Sequence, residues 1–228
     1  MNRIEWDLSR ANHTRFIDFV RNRPSNTIPQ ECIQSSKDIW LEIGSGSGHF
    51  FGELARLNPE KLLIGIERDR FRGNRLVRKS QRETLNGIEN FVGIRGNAIA
   101  AVVRDLPDQS VERVYILYPC PWPKNRHRLN RWYMHPIMDH VVRILKPGGV
   151  LIWASDQEFY VQEARFVCEQ RYNFATLNHG RIQANPHNYF AHFPNGRTKF
   201  EQTFLSRGFP CFELVSLKKS PVNVIQAN

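Results

Sequence analysis

No stretch of this 228-residue chain approaches the ~20 consecutive apolar residues that a membrane-spanning helix needs, so membrane-spanning classes are set aside. Cysteine is scarce: Cys32, Cys120, Cys168 and Cys211 lie far apart, without a C-x-x-C pair. No zinc spacing is present, no metal is expected, and reduced thiols are the simplest reading. The G-x-x-x-x-G-K-[ST] loop of P-loop nucleotidases is also missing. The opening stretch MNRIEWDLSRANHTRFIDFV lacks the apolar core of a signal peptide, so a cytoplasmic protein is expected. Negative charge is in short supply. Against 32 Lys and Arg stand 22 Asp and Glu, a formal net charge of +10 with a pI near 9.8. Such a balance suits a polyanionic partner, nucleic acid before an anionic membrane surface.

The 41% of hydrophobic residues suffices for a sizeable core. One domain is expected over 1–228: a basic lead-in (1–36, with a short helix near Thr14–Arg21), a core (37–217) and a tail (218–228). Strands are expected at Asp38–Ile43, Leu62–Ile66, Ile88–Ile94, Val111–Leu117 and Val150–Ala154. Helices are expected at His49–Leu57, Arg70–Thr84, Asn97–Arg104, Asn130–Leu145 and Phe159–Gln170. The Lys146-Pro147-Gly148-Gly149 turn should end the fourth of them. Such alternation predicts a mostly parallel, doubly wound α/β sheet. The remainder, Tyr172–Val215, should add strands at one edge.

Between the first strand and helix lies Glu42-x-Gly44-x-Gly46-x-Gly48. Glycines there let the backbone turn tightly and approach a ligand beside helix N-terminal amides. The nicotinamide fingerprint G-x-G-x-x-G/A would put His49 at its last position, where a side chain presses on the helix–strand contact. Glu67, at the end of the second strand, sits where a carboxylate can grip a ribose diol. Glu42 would repel a pyrophosphate but hold an ammonium. S-adenosylmethionine carries an amino acid and a sulfonium and no phosphate, so a methyltransferase is favoured over a dehydrogenase. Asn97 is placed for the adenine edge, for a helix N-cap, or for both.

The fourth strand runs into Tyr118–Tyr133, YPCPWPKNRHRLNRWY. Prolines 119, 121 and 123 remove three donors and stiffen the chain. Trp122, Lys124, Arg126, His127, Arg128 and Arg131 crowd into the same stretch. A rigid, cationic and aromatic loop at the carboxyl end of a strand is a ligand-binding position in open α/β sheets.

These motifs together resemble the tRNA (guanine-N7)-methyltransferases of the TrmB type: E-I-G-S-G-S-G, I-G-I-E, Y-P-C-P-W-P-K-x-R-H and Thr198-Lys199-Phe200-Glu201, in that order between about Asp38 and Gly208. The resemblance implies a Rossmann-like class I S-adenosylmethionine-dependent methyltransferase fold, with S-adenosyl-L-methionine as cofactor and tRNA as partner. It implies a cofactor site of Glu42, Gly44, Ser45, Gly46, Gly48, Glu67, Arg68, Asn97 and Ala98. It further implies that Lys124, Arg126, His127, Asp156, Thr198, Lys199, Phe200 and Glu201 face the target nucleotide. Read without the resemblance, Asp156 would cap the following helix and T-K-F-E would be an edge strand. The family has Asp where this chain has Cys120, the position carried over as catalytic. Guanine N7 has an in-plane lone pair and no proton, so a carboxylate there would orient the base rather than deprotonate N7. A neutral thiol is a weak acceptor. Its loss of a charge-assisted bond motivates an alternative, a TrmB-like paralogue with another RNA substrate or with reduced or no activity. Oligomeric state is not legible.

Overall fold

The structure, a computed structural model, describes residues 28–182 and 192–220. The expected Thr14–Arg21 helix and most of the tail lie outside them. Seven strands form one sheet: β1 (Asp38–Ile43), β2 (Lys61–Glu67), β3 (Phe91–Arg95), β4 (Val111–Leu117), β5 (Leu145–Ser155), β6 (Phe174–Arg181) and β7 (Phe212–Lys218). Their order is β3-β2-β1-β4-β5-β7-β6, with β7 antiparallel to both neighbours and the other pairs parallel. The helices are α1 (Gln30–Ile33), α2 (His49–Leu57), α3 (Arg70–Leu85), α4 (Ala98–Ala100), α5 (Ile137–Ile144), α6 (Glu158–Tyr172) and α7 (Lys199–Ser206). The doubly wound sheet expected from the alternation is therefore present.

Both faces of the sheet are covered, so its central strands are apolar almost throughout. Ile39, Leu41 and Ile43 of β1 face a layer built with α5, α6 and the turn after α4, while Trp40 faces Phe50, Phe51 and Leu54 of α2. The side-chain alternation of a strand thus puts Glu42 on the α2 side, beside the glycine loop.

Three expected boundaries move for local reasons. The helix expected over 130–145 is cut to α5, because Pro136 forces His135 into extended geometry (φ −76°, ψ 143°) and leaves only a single 3-10 turn, Trp132–Met134, before it. The Lys146–Gly149 turn lies inside β5 as a bulge: Leu145 pairs with Val111, and pairing resumes at Val150 with Arg113. Strand β3 starts at Phe91, since residues 86–90 turn back on α3 through Ile88 N–H to Glu83 C=O at 2.9 Å. The T-K-F-E segment is not an edge strand. Thr198 is the N-cap of α7, its hydroxyl accepting from Glu201 N–H at 3.1 Å.

Two glycines set how closely the site can be built. A Cβ on Gly48 (φ +74°) would lie 2.6 Å from Leu76 of α3, so Gly48 is the close-packing position and His49 is turned into the crevice. A Cβ on Gly65 of β2 would lie 2.6 Å from the Ser45 hydroxyl oxygen. Gly65→Ala should therefore cost about 1–3 kcal/mol by overpacking. The double variant Gly65→Ala/Ser45→Gly should recover part of that loss in urea unfolding.

Candidate functional site

Sheet order reverses between β1 and β4, and the crevice outside their carboxyl ends is where this architecture binds ligands. Two adjoining cavities fill it, of about 430 and 290 Å³. Gly44, Arg72, Leu117 and Tyr118 line both. The larger is bounded by Glu67, Arg68, Asn97, Ala98, Cys120 and Trp132. The smaller is bounded by Glu42, Ser45, His49, Thr198, Lys199 and Phe200.

The glycine loop is held by its own strand ends. Gly44 and Ser45 N–H donate to Ile66 C=O at 2.9 and 3.0 Å. Both Glu67 oxygens accept from backbone, Gly46 N–H at 2.9 Å and Asp69 N–H at 2.8 Å. Glu67 therefore fixes the loop while lining the cavity. Asn97 is an N-cap, accepting from Ile99 N–H at 3.1 Å, and also lines the larger cavity.

Glu42 is buried and accepts from the Ser45 hydroxyl. Burial drives its pKa up to about 7, against the Ser45 hydrogen bond and the positive charge of Arg197. Arg197, fully buried, donates Nη2–H to Glu201 at 2.7 Å and Nη1–H to Glu213. Glu201 also accepts from the Tyr118 hydroxyl at 2.5 Å. Burial alone would raise the Glu201 pKa, but Arg197 and Tyr118 outweigh it and the net shift is downward. Glu201 was expected to face the nucleotide. Instead its carboxylate is turned inward and used up, and it anchors α7 to the sheet.

The Tyr118–Tyr133 loop closes on itself. Arg131, expected among the cations of a ligand-binding loop, is instead buried; its guanidinium donates to Trp122 C=O at 3.0 and 3.2 Å, Pro123 C=O at 3.3 Å and Glu163 at 2.6 Å. Tyr118 and Trp122 have φ of +51° and +46°, conformations that cost of order 1 kcal/mol or more in non-glycine residues and cluster at functional sites. The Tyr118 ring packs on Phe200 with centroids 4.6 Å apart. Lys124, Arg126 and His127 sit on the outer turn of the loop, away from both cavity linings. Arg126 Nε lies 3.3 Å from His127, whose ring meets Trp122 edge-on at 5.5 Å. Asp156 caps nothing; it accepts from the Gln157 amide at 2.8 Å, and the Ser155 hydroxyl takes the Gln157 N–H instead. Tyr118, His49 and Arg197 were not among the expected site residues. The pairing of Thr198 with Glu201 in a T-x-x-E box was the available signal for α7.

Comparison with known proteins agrees with this geometry. The family model described as "Putative methyltransferase" matches residues 36–214. The tRNA (guanine-N(7)-)-methyltransferase of Nitrosococcus oceani is 34% identical over 175 residues, spanning 76% of this chain and 69% of that protein. A bifunctional methyltransferase of Rickettsia felis is 34% identical over 160 residues, 70% of this chain. The match spans only 30% of that longer relative. Among solved structures, the 16S rRNA methyltransferase KamB superposes with a TM-score of 0.61 at 14% identity, over 88% of this chain and 98% of that one. At that identity the likeness is one of fold, the Rossmann-like class I methyltransferase fold.

Two measurements test the electrostatics. Arg197→Met should cost about 3–5 kcal/mol in urea unfolding, because it strands two buried carboxylates. For Glu42, the folded state binds the extra proton between the ordinary 4.5 and about 7. Stability should therefore fall as pH rises through that window, by about 3 kcal/mol in all. Glu42→Gln should remove that slope relative to the parent protein.

Proposed function

This chain belongs to the tRNA (guanine-N7)-methyltransferase family of the TrmB type, and from that premise we propose that it transfers a methyl group from S-adenosylmethionine to guanine N7 in tRNA. The observation that carries the cofactor reading is the pair of carboxylates, Glu42 and Glu67, in a crevice that also offers backbone turns. Two acidic groups repel a pyrophosphate and suit a ligand bearing an ammonium and a sulfonium. The desolvated Glu42, whose pKa is pushed to about 7, is the sort of acid that a cation would return to its ionised form. The residues thus fit the group. Glu67 and Asn97 would hold the ribose and adenine, and Glu42 the amino-acid end.

The bound cofactor would supply an electrophilic methyl on a positively charged sulfur. The chain's own task is then positioning. N7 needs no general base, and in-line alignment is worth up to roughly 7–11 kcal/mol of barrier when fully realised. Tyr118, Phe200 and Lys199 form the wall through which a guanine would enter; the Phe200 ring packs on Tyr118 and stacks on Phe204 at 4.2 Å, so its exposed part would meet the base as one member of an aromatic cluster. Lys124, Arg126 and His127, on the outer turn, would meet phosphates rather than the reacting base. Cys120, exposed on the larger cavity, would orient the base only weakly. The basic chain supports a tRNA partner, and tRNA supports a cytoplasmic location. No helix among the described residues is long and apolar enough to cross a membrane. Relatives named as enzymes favour the catalytic reading over an inactive paralogue.

The test is incubation of the purified protein with methyl-labelled S-adenosylmethionine and tRNA lacking 7-methylguanosine. Label is expected at guanine N7. Cys120→Asp should raise kcat/KM about ten- to a hundredfold, the worth of one regained charge-assisted bond of ~1.5–3 kcal/mol. Cofactor binding without any label in tRNA would overturn the reading.

A further inference from the structure

Helix α3 carries six basic residues, Arg70, Arg72, Arg75, Arg78, Lys79 and Arg82, against one acid, Glu83. Glu83 is buried and paired with Arg56 and Lys79. The helix has no acidic residue in its first turn, where the macrodipole favours one, and places two arginines there instead. Like charges three and four residues apart also repel. The acidic N-cap Asp69, with Glu67, offsets Arg72, and Glu53 and Glu83 offset Lys79, so the uncompensated repulsion falls on Arg75, Arg78 and Arg82.

The arrangement is ordered. Gly73, Leu76 and Glu83 are buried against the sheet. At 100° per residue, Phe71, Arg75, Arg78, Arg82 and Leu85 fall within an arc of roughly 80° on the opposite side. All five are exposed, Phe71 by 80% and Leu85 by 87%. Among the described residues, the side chains of Arg75, Arg78 and Arg82 make no hydrogen bond or ion pair. The stripe runs outward from the crevice lip. Arg72, in the same first turn as Phe71, lines both cavities.

We propose that this face of α3 is a landing surface for the sugar–phosphate backbone of the RNA whose guanine enters the crevice, with Arg75, Arg78 and Arg82 contacting phosphates and Phe71 a base or ribose at the lip. The proposal rests on the RNA substrate of the preceding section. RNA is favoured over an acidic protein because the stripe is continuous with the crevice and follows one line along the helix. Binding there would also relieve the repulsion along α3.

The test compares the parent protein with Arg75→Ala/Arg78→Ala/Arg82→Ala, and with a control that removes three positive charges elsewhere, Arg165→Ala/Arg171→Ala/Lys219→Ala. Unmodified tRNA binding is measured without cofactor over a salt series, with S-adenosylmethionine binding and far-UV circular dichroism alongside. The stripe variant should bind tRNA at least tenfold more weakly at low salt. Its slope of log K against log salt should be smaller by about two to three, at about 0.7–0.9 for each phosphate that is no longer neutralised. Helicity and cofactor binding should be unchanged, and the control should shift far less. An unchanged slope, or one matched by the control, would overturn the proposal. So would intact tRNA binding with loss of binding to phosphatidylserine vesicles or to an acidic protein. A parent protein that binds tRNA through the stripe but never methylates it would sink the catalytic reading and leave this one standing.

Discussion

The site depends on one buried cation. Arg197 has no access to water, and its guanidinium spans Glu201 on α7 and Glu213 on β7. A buried ion pair gives little net stability relative to an apolar replacement, because desolvating the charges offsets their attraction. What it supplies is position. α7 is only eight residues long, too short to hold itself as a helix in water. The ion pair and the Tyr118 hydroxyl tie its first turn to the sheet, and so bring Thr198, Lys199 and Phe200 to the crevice.

Beside this cluster the crevice has an unusual balance of charge. Its floor carries Glu42 and Glu67, while cations gather at its lip and on the outer surface. A negative floor under a positive rim sorts two ligands by sign, a small cationic one inside and a polyanion outside. The +10 net charge of the chain then acts at long range on the polyanion, and the screened floor acts only at contact.

Much of this was legible in the residues. β1, α2 and β4 fall where their apolar runs and glycine punctuation put them, because tertiary packing there follows the local pattern. The Glu42, Glu67 and Asn97 positions line the crevice because strand ends must lie there in a doubly wound sheet. Other features were hidden. Arg131 and Arg197 are buried partly by acceptors far along the chain, Glu163 and Glu213 at 32 and 16 residues, which no local pattern reveals; the Arg197–Glu201 pair at i,i+4 would equally suit an exposed helix face. The same holds for Glu201, whose motif fitted a substrate contact as well as an anchor. Alternation in T-K-F-E suited a strand, but a T-x-x-E cap decided for a helix.

The self-closure of the proline loop has a kinetic side. Arg131 reaches back nine residues to the Trp122 carbonyl, so this cationic segment is ordered before any partner arrives. A loop that need not fold on contact spends no ordering entropy at the encounter. Collision and orientation, rather than induced rearrangement, would then govern how fast a nucleic acid is captured at this edge of the protein.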